Sequence, residues 1–600
     1  MRFTSSLRGG LVALVALGQP ICTWSKTITH DFHLSWIKTN PDNAFAKTTI
    51  GINNQWPPPL ITATVGDEVV VNLHNGLGNT TTSLHFHGLF QNGTSHMDGA
   101  VGVTQCPVPP GHTFTYRFKV DQPGTYWYHA HNNGQYPDGL RGPVVVHDPT
   151  GPHEGKYDDE IVLTFSDWYH RPMKELIADF LNYKNPSGAE PVPQAALMND
   201  TQDLRVKVEP GKTYLVRMVN VGAFASHFVR FEGHQVRIVE ADGVWMEESA
   251  PVDVLYLAAA QRYSVLLKAK SDATENFAIV STMDEELFDD APEDLNPSVT
   301  GWLVYDEEKP LPEPDKLAPD SGIVLDDMNL VPADKFRLLD TVSQSIEFNV
   351  HMKILGNGVN YAFFNNITYV GPKVPTLYTA LTVGGATHAT NPIVYGSYTN
   401  THVLRHNDVI ELVVNNFDDG DHPFHLHGHN FQVITRSDAD AGPYVPSNRP
   451  RLQRDVPLRR DTVLIRGNGH AVLRFVADNP GAWLFHCHIE WHMEQGLVAT
   501  LVSAPDQLLT AAGAKHPQLP RSHLESCKLS GMADAGNAAG NVDDVLDLTG
   551  ENRPPPPLPT GFTTKGYVAL VCSGLAAVMG MASIWYYGNI PDLQKGYEAI

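Results

Sequence analysis

The sequence predicts an all-β chain built from three similar domains, and three observations carry that prediction. Gly 49 and Pro 44 in 600 residues give a turn-rich chain. Hydrophobic residues are 42% and charged residues 18%, which excludes disorder for most of the length. A strand–asparagine–strand pattern then recurs three times. Its copies are Val69–Asn75 with Ser83–Gly88, Tyr214–Asn220 with Ser226–Gly233, and Ile410–Asn416 with His422–Gly428. A net charge of −24 argues against nucleic acid and is compatible with cations.

Taken in order, residues 1–25 read as a signal peptide. Arg2 and Arg8 precede the apolar run Leu11–Leu17, which is too short to span a bilayer. Sequons at Asn79, Asn92, Asn199 and Asn366 agree with secretion. The first domain is expected over 26–148, the second over 149–305 and the third over 341–510. The acidic, Pro-rich stretch from Asp306 to Ser321 opens a linker over 306–340. A C-terminal extension and stalk (511–565) ends in the run Pro554–Pro557, a stiff spacer. Residues 566–588 carry no charge and are long enough to span, with Trp585, Tyr586 and Tyr587 at one interface. The polar tail, 589–600, then falls on the cytosolic side of a type I topology and disfavours a lipid-anchor signal.

Histidine, at 28, is the unusual count. Four H-x-H pairs occur: His85/His87, His129/His131, His425/His427 and His486/His488. On a strand, residues i and i+2 share a face, so each pair can present two imidazoles together. Counted from Asn75 and Asn415, the pairs of copies one and three fall ten and twelve residues on. Copy two places Arg230 and Glu232 there instead. Metal chemistry is therefore expected in the first and third domains. Cys487 lies between His486 and His488, with His492 five residues later and His422 before the third pair. One Cys and two His form the trigonal set of a blue-copper electron-transfer site, whereas structural zinc would take four closed ligands. Ten residues after Cys487 stands Leu497, an apolar axial neighbour in place of Met.

The segments His85–Gly88, Trp127–His131, His422–His429 and His486–His492 resemble the four copper signatures of multicopper oxidases, over about residues 30–505. The resemblance implies three cupredoxin-like Greek-key β-sandwich domains and four copper ions. It assigns His422, Cys487 and His492 to type 1 copper, and His85 and His425 to type 2. One type 3 ion takes His87, His129 and His488, and the other His131, His427 and His486. It places Asp98 and Glu490 as proton-handling carboxylates near the bound oxygen, which is reduced to water. It also implies a disulfide between Cys106 and Cys527.

Three further positions resemble fungal plasma-membrane ferroxidases of high-affinity iron uptake: Glu190, Asp418 and Tyr361, each in matching motif context. That likeness implies oxidation of Fe(II) and an iron permease as partner in the same membrane, plasma or vacuolar. Asp419 and Asp421 flank Asp418 and leave open which acid meets iron. The alternative is a membrane-tethered laccase-like phenol oxidase. A cuprous oxidase would show Met clusters, and Met493 alone stands beside a ligand. A non-enzymatic copper-storing ectodomain is disfavoured because all eleven ligands are present.

Overall fold

The computed structural model describes residues 25–272, 274–289, 291–446, 455–510 and 519–589. The expected signal peptide, apart from its last residue, and the tail beyond Asn589 lie outside the described residues. Strands form six sheets, two from each of three successive stretches of sequence. The first stretch gives two four-stranded sheets, and the second and third each give one of six strands and one of five.

Each stretch opens the same way. Its first long strand pairs in parallel with a later one: Thr27–Thr39 with Glu68–Asn75, Asp159–Trp168 with Thr213–Asn220, and Gln344–Ile354 with Val409–Asn416. Alternation buries one side of Thr27–Thr39 and Gln344–Ile354. Thr213–Asn220 and Val409–Asn416, in the second and third stretches, are buried on both sides. The apolar residues of all three stretches join in one continuous core.

The repeated asparagine closes the turn after the second of these strands. Asn75 accepts from the Leu77 N–H at 3.1 Å and donates to Thr80 and Val108 carbonyls. Asn220 repeats this with Gly222, Ala225 and Leu257. In the third copy the residue so engaged is Asn416, with Asp418, Gly420 and Arg466. The repeat is therefore corrected by one position. Asn415 faces the neighbouring strand instead, donating to Glu347 and Asn349. The third turn is one residue shorter than the first.

Beyond the last sheet, helix Arg521–Ser530 docks on the first stretch through a disulfide between Cys106 and Cys527, 421 residues apart in sequence. The chain ends its described course in helix Thr564–Gly588, capped by the Thr563 hydroxyl, which accepts from the Gly566 N–H. Its 25 residues reach about 37 Å, longer than the ~30 Å hydrocarbon layer. It begins two residues before the expected span because Lys565 sits in its first turn, where its stem can run along the helix toward water.

Candidate metal centre

The eight paired histidines meet because of strand register. Strand His85–His87 lies antiparallel to Gly124–His129, with His85 opposite His129. Strand His422–Leu426 lies antiparallel to Gly481–Cys487, with His425 opposite His486. The two strand pairs face each other. His87 stacks on His425 with ring centres 3.7 Å apart, and His85 on His427 at 4.0 Å. All eight rings are buried.

Their nitrogens divide into three-donor groups whose donor atoms lie within 4.8 Å of one another: His87, His129 and His488; His131, His427 and His486; and His85, His87 and His425. Three of the H-x-H pairs thus supply one ring to each of two groups, whereas His87 belongs to two groups and shares one of them with His85.

Hydrogen bonds on the outer nitrogens set the tautomers. The Nδ1–H of His129 donates to Ala130 O at 3.0 Å, that of His486 to Cys487 O at 2.8 Å and that of His425 to Asp461 O at 3.0 Å. His85 donates to Asp98 O at 2.6 Å, and His427 to the Asp98 carboxylate at 2.8 Å. Inner lone pairs are left bare. The Nε2 atoms of His85, His129, His131, His425 and His488 are buried without a partner. The Nε2 atoms of His427 and His486, both acceptors in these tautomers, stand 3.1 Å apart. Buried lone pairs of this kind cost free energy unless a cation lies among them. Burial, aided by neighbouring rings, holds His87, His129, His131, His486 and His488 well below the ordinary histidine value. The rings are neutral and ready to ligate. The donor set fits copper.

Asp98 bridges His85 and His427 from one side. Burial alone raises its carboxyl, but facing His427 and His85 outweigh that and hold it far below the carboxylate range. Glu490 opens helix Glu490–Glu494. It lines a narrow cavity with His129, His131, His486, His488 and Tyr136. One of its oxygens, and the Tyr136 hydroxyl, have no partner. Burial and then Glu494 push its carboxyl well up, toward a group that holds its proton.

A fourth group stands apart. Cys487 Sγ lies 3.6 Å from His422 Nδ1 and 3.4 Å from His492 Nδ1. Leu497 is fully buried, accepts from the Cys487 N–H and donates its own N–H to His492 O. The remaining nitrogens point outward. His492 Nε2 donates to Glu190 at 2.7 Å, and His422 Nε2 to Asp418 at 3.1 Å. Both carboxylates are partly exposed, 18% and 22%. Burial pushes Asp418 up, but His422 prevails and draws it down to about 2.

Of the flanking acids, Asp421 is taken by Arg466 and the Gly467 N–H, and Asp419 is exposed. Tyr361 lies on strand Asn360–Phe364, its hydroxyl accepting from Asn357 rather than bonding either carboxylate.

Sequence reasoning missed Asp461 and Arg262. Asp461 lies 3.4 Å from both His87 and His425. It is held by a two-pronged bond from Arg262, at 2.7 and 2.6 Å, with neither side chain more than 1% exposed. Arg262 also donates to Thr125 O at 3.1 Å. The middle stretch, which has no histidine pair, thus reaches the cluster through one cation. The available signal was the run Arg459-Arg460-Asp461 beside a strand.

Three multicopper oxidase models match the chain, over residues 33–151, 159–308 and 369–507. The chain is 54% identical to the iron transport multicopper oxidase fetC of Epichloe festucae, over 96% of this chain and 91% of that protein. It is 42% identical to the iron transport multicopper oxidase FET3 of Saccharomyces cerevisiae, over 99% and 93%. The crystal structure of Fet3p, a multicopper oxidase that functions in iron import, superposes with a TM-score of 0.84 at 44% identity, over 88% of this chain and 99% of that one. The laccase of Botrytis aclada superposes at 0.72 and 26% identity, over 84% and 92%.

Proposed function

The chain belongs to the multicopper oxidase family, and from that premise we propose that it oxidises Fe(II) to Fe(III) with O2 as the acceptor. The observation that carries this reading is at the Cys487 group. Both of its imidazoles end outward on carboxylates, Glu190 and Asp418, at the surface. Carboxylate oxygens suit a hard cation. They bind Fe(III) more strongly than Fe(II), which lowers the iron potential and favours electron loss. An aromatic reductant would want an apolar hollow.

The copper assignments are those the family resemblance implies, and the donor groups support them. His422, Cys487 and His492 would hold type 1 copper, with the buried, apolar Leu497 beside them. His85 and His425 hold type 2. His87, His129 and His488 hold one type 3 ion, and His131, His427 and His486 the other. Bound copper supplies one-electron steps at the first site and four-electron reduction of O2 to water at the cluster.

The chain's own residues do the rest. Glu190 and Asp418 bind iron and orient the two imidazoles, with Tyr361 on the adjoining strand. Cys487 is joined through the backbone to His486 and His488, a bonded route inward. Asp98 stays ionised and fixes His85 and His427. Glu490 keeps a proton at its carboxyl beside the cluster, where oxygen reduction consumes protons. Asp461, locked by Arg262, orients His425 and His87.

The C-terminal helix anchors the protein in the plasma or vacuolar membrane with the β body outside or luminal. An iron permease in that membrane takes the Fe(III), and the small residues Ala576 and Gly580 are spaced for packing against a partner helix. Oxygen uptake by the copper-loaded protein tests the activity. Four Fe(II) should be consumed per O2, faster than dimethoxyphenol. Preference for the phenol would make the protein a membrane-tethered laccase.

A further inference from the structure

The C-terminal stalk does not hang free. After Cys527 it runs back over the body. Glu551 accepts from the Ser397 N–H at 2.9 Å, and Asn552 donates to Gly371 O at 2.8 Å. Its last contact falls on the turn joining Gln344–Ile354 to Asn360–Phe364. There Gly356 N–H donates to Pro556 O at 2.7 Å, and Leu355 bridges Pro557.

That turn belongs to the iron-site face. Asn357 at its tip donates to the Tyr361 hydroxyl at 3.0 Å. Asn360 donates to Ser187 O at 2.7 Å, and Gly188 packs on its side chain. Two residues further, Glu190 meets His492. An unbroken set of contacts therefore runs from stalk to turn to the Glu190 loop and the outer histidine.

Six residues, Leu558–Thr563, separate this contact from the membrane helix. Fully extended they span at most about 25 Å. A body of roughly 500 residues has a radius of gyration near 23 Å and is about 60 Å across. The turn therefore lies on the membrane-near half. Tyr183, whose Cβ and Cα lie against Gly358, is 65% exposed, and Phe562 is 63% exposed. Aromatic rings of this kind favour the bilayer interface. A net charge of −24 would repel the body from an anionic leaflet, so the stalk contact, not charge, sets its orientation.

We infer that the stalk clamps the body with its Glu190–Tyr361 face turned toward the bilayer surface. This rests on the iron-site and membrane readings above. Its consequence is that Fe(III) is released into the water layer at the membrane, not into bulk solvent, where ferric ion hydrolyses near neutral pH.

Energy transfer to the bilayer tests this on the full-length, copper-loaded protein in nanodiscs, with Cys572→Ser to remove the exposed cysteine. A donor dye is placed at Tyr183→Cys and acceptor dyes on the lipid headgroups. The reference donor is Gly561→Cys, next to the helix. Transfer from Tyr183→Cys should reach about half of the reference or more. A twelve-residue Gly/Ser insert after Pro557 should lower it about twofold or more. Transfer near background, or unchanged by the insert, would overturn the clamp. Failure to enter nanodiscs would remove the anchor and the clamp together. High transfer without ferrous turnover would leave the clamp standing and remove the iron reading.

Discussion

The two histidine sites of this protein are built from the same side chain and finished in opposite ways. At the eight-histidine cluster the outer nitrogens end mostly on buried backbone carbonyls or on Asp98, which is sealed. At the Cys487 site they end on Glu190 and Asp418, which meet solvent. Carboxyl chemistry follows. Beside the cluster, burial pushes Glu490 well up and Glu494 to about 7. Beside Cys487, His422 overcomes burial and holds Asp418 near 2. What lies behind the imidazoles, more than the imidazoles themselves, separates the two sites: sealed partners at the cluster, and carboxylates open to a cation from solvent at Cys487.

Several changes test that contrast. The largest effect is expected from Cys487→Ser. It should abolish the blue absorption and cut turnover with every reductant by about a thousandfold or more, while copper remains at the cluster by metal analysis and paramagnetic resonance. Turnover that survives would mean electrons bypass the outer site. Arg262→Met should strand Asp461 in the interior, at about 3 to 5 kcal/mol in denaturant unfolding. It should also alter the type 2 resonance, which a remote core lesion would leave alone. Glu190→Ala alone should lower kcat/KM for Fe(II) about 10- to 100-fold with the blue absorption nearly unchanged.

The smallest effect is in pH. Asp418 has a folded value near 2, below its ordinary 3.8. A lowered acid stabilises above its ordinary value, and that contribution disappears as pH falls from about 4 to about 2. Asp418→Asn should therefore cost the copper-free protein about 1 to 2 kcal/mol at pH 6 and about a third of that at pH 2.5, read by denaturant unfolding. Equal costs at both would place Asp418 outside the ion pair.

Strand period made much of the centre readable. Four H-x-H pairs on alternating segments require convergent imidazoles, and Cys487 between two of those histidines separates one site from another. Charge made less of it readable. Arg262, Arg460, Asp242 and Asp461 are as charged as any surface residue in a sequence, yet all are buried in one ion network. Nothing local distinguishes an arginine paired across two stretches from a solvated one. The paired asparagines 415 and 416 were ambiguous for the same reason, since only the closed turn shows which of them holds it. Tyr136 carried no motif and is found only by its place beside Glu490.

Ferrous turnover depends on whether the surface carboxylates select iron. Steady-state oxygen uptake by the double variant Glu190→Ala/Asp418→Ala, with Fe(II) and with dimethoxyphenol, measures this directly. The kcat/KM for Fe(II) should fall by about 100-fold or more while the phenol value stays within about threefold of wild type. Equal losses on both substrates, or an unchanged ferrous rate, would contradict it.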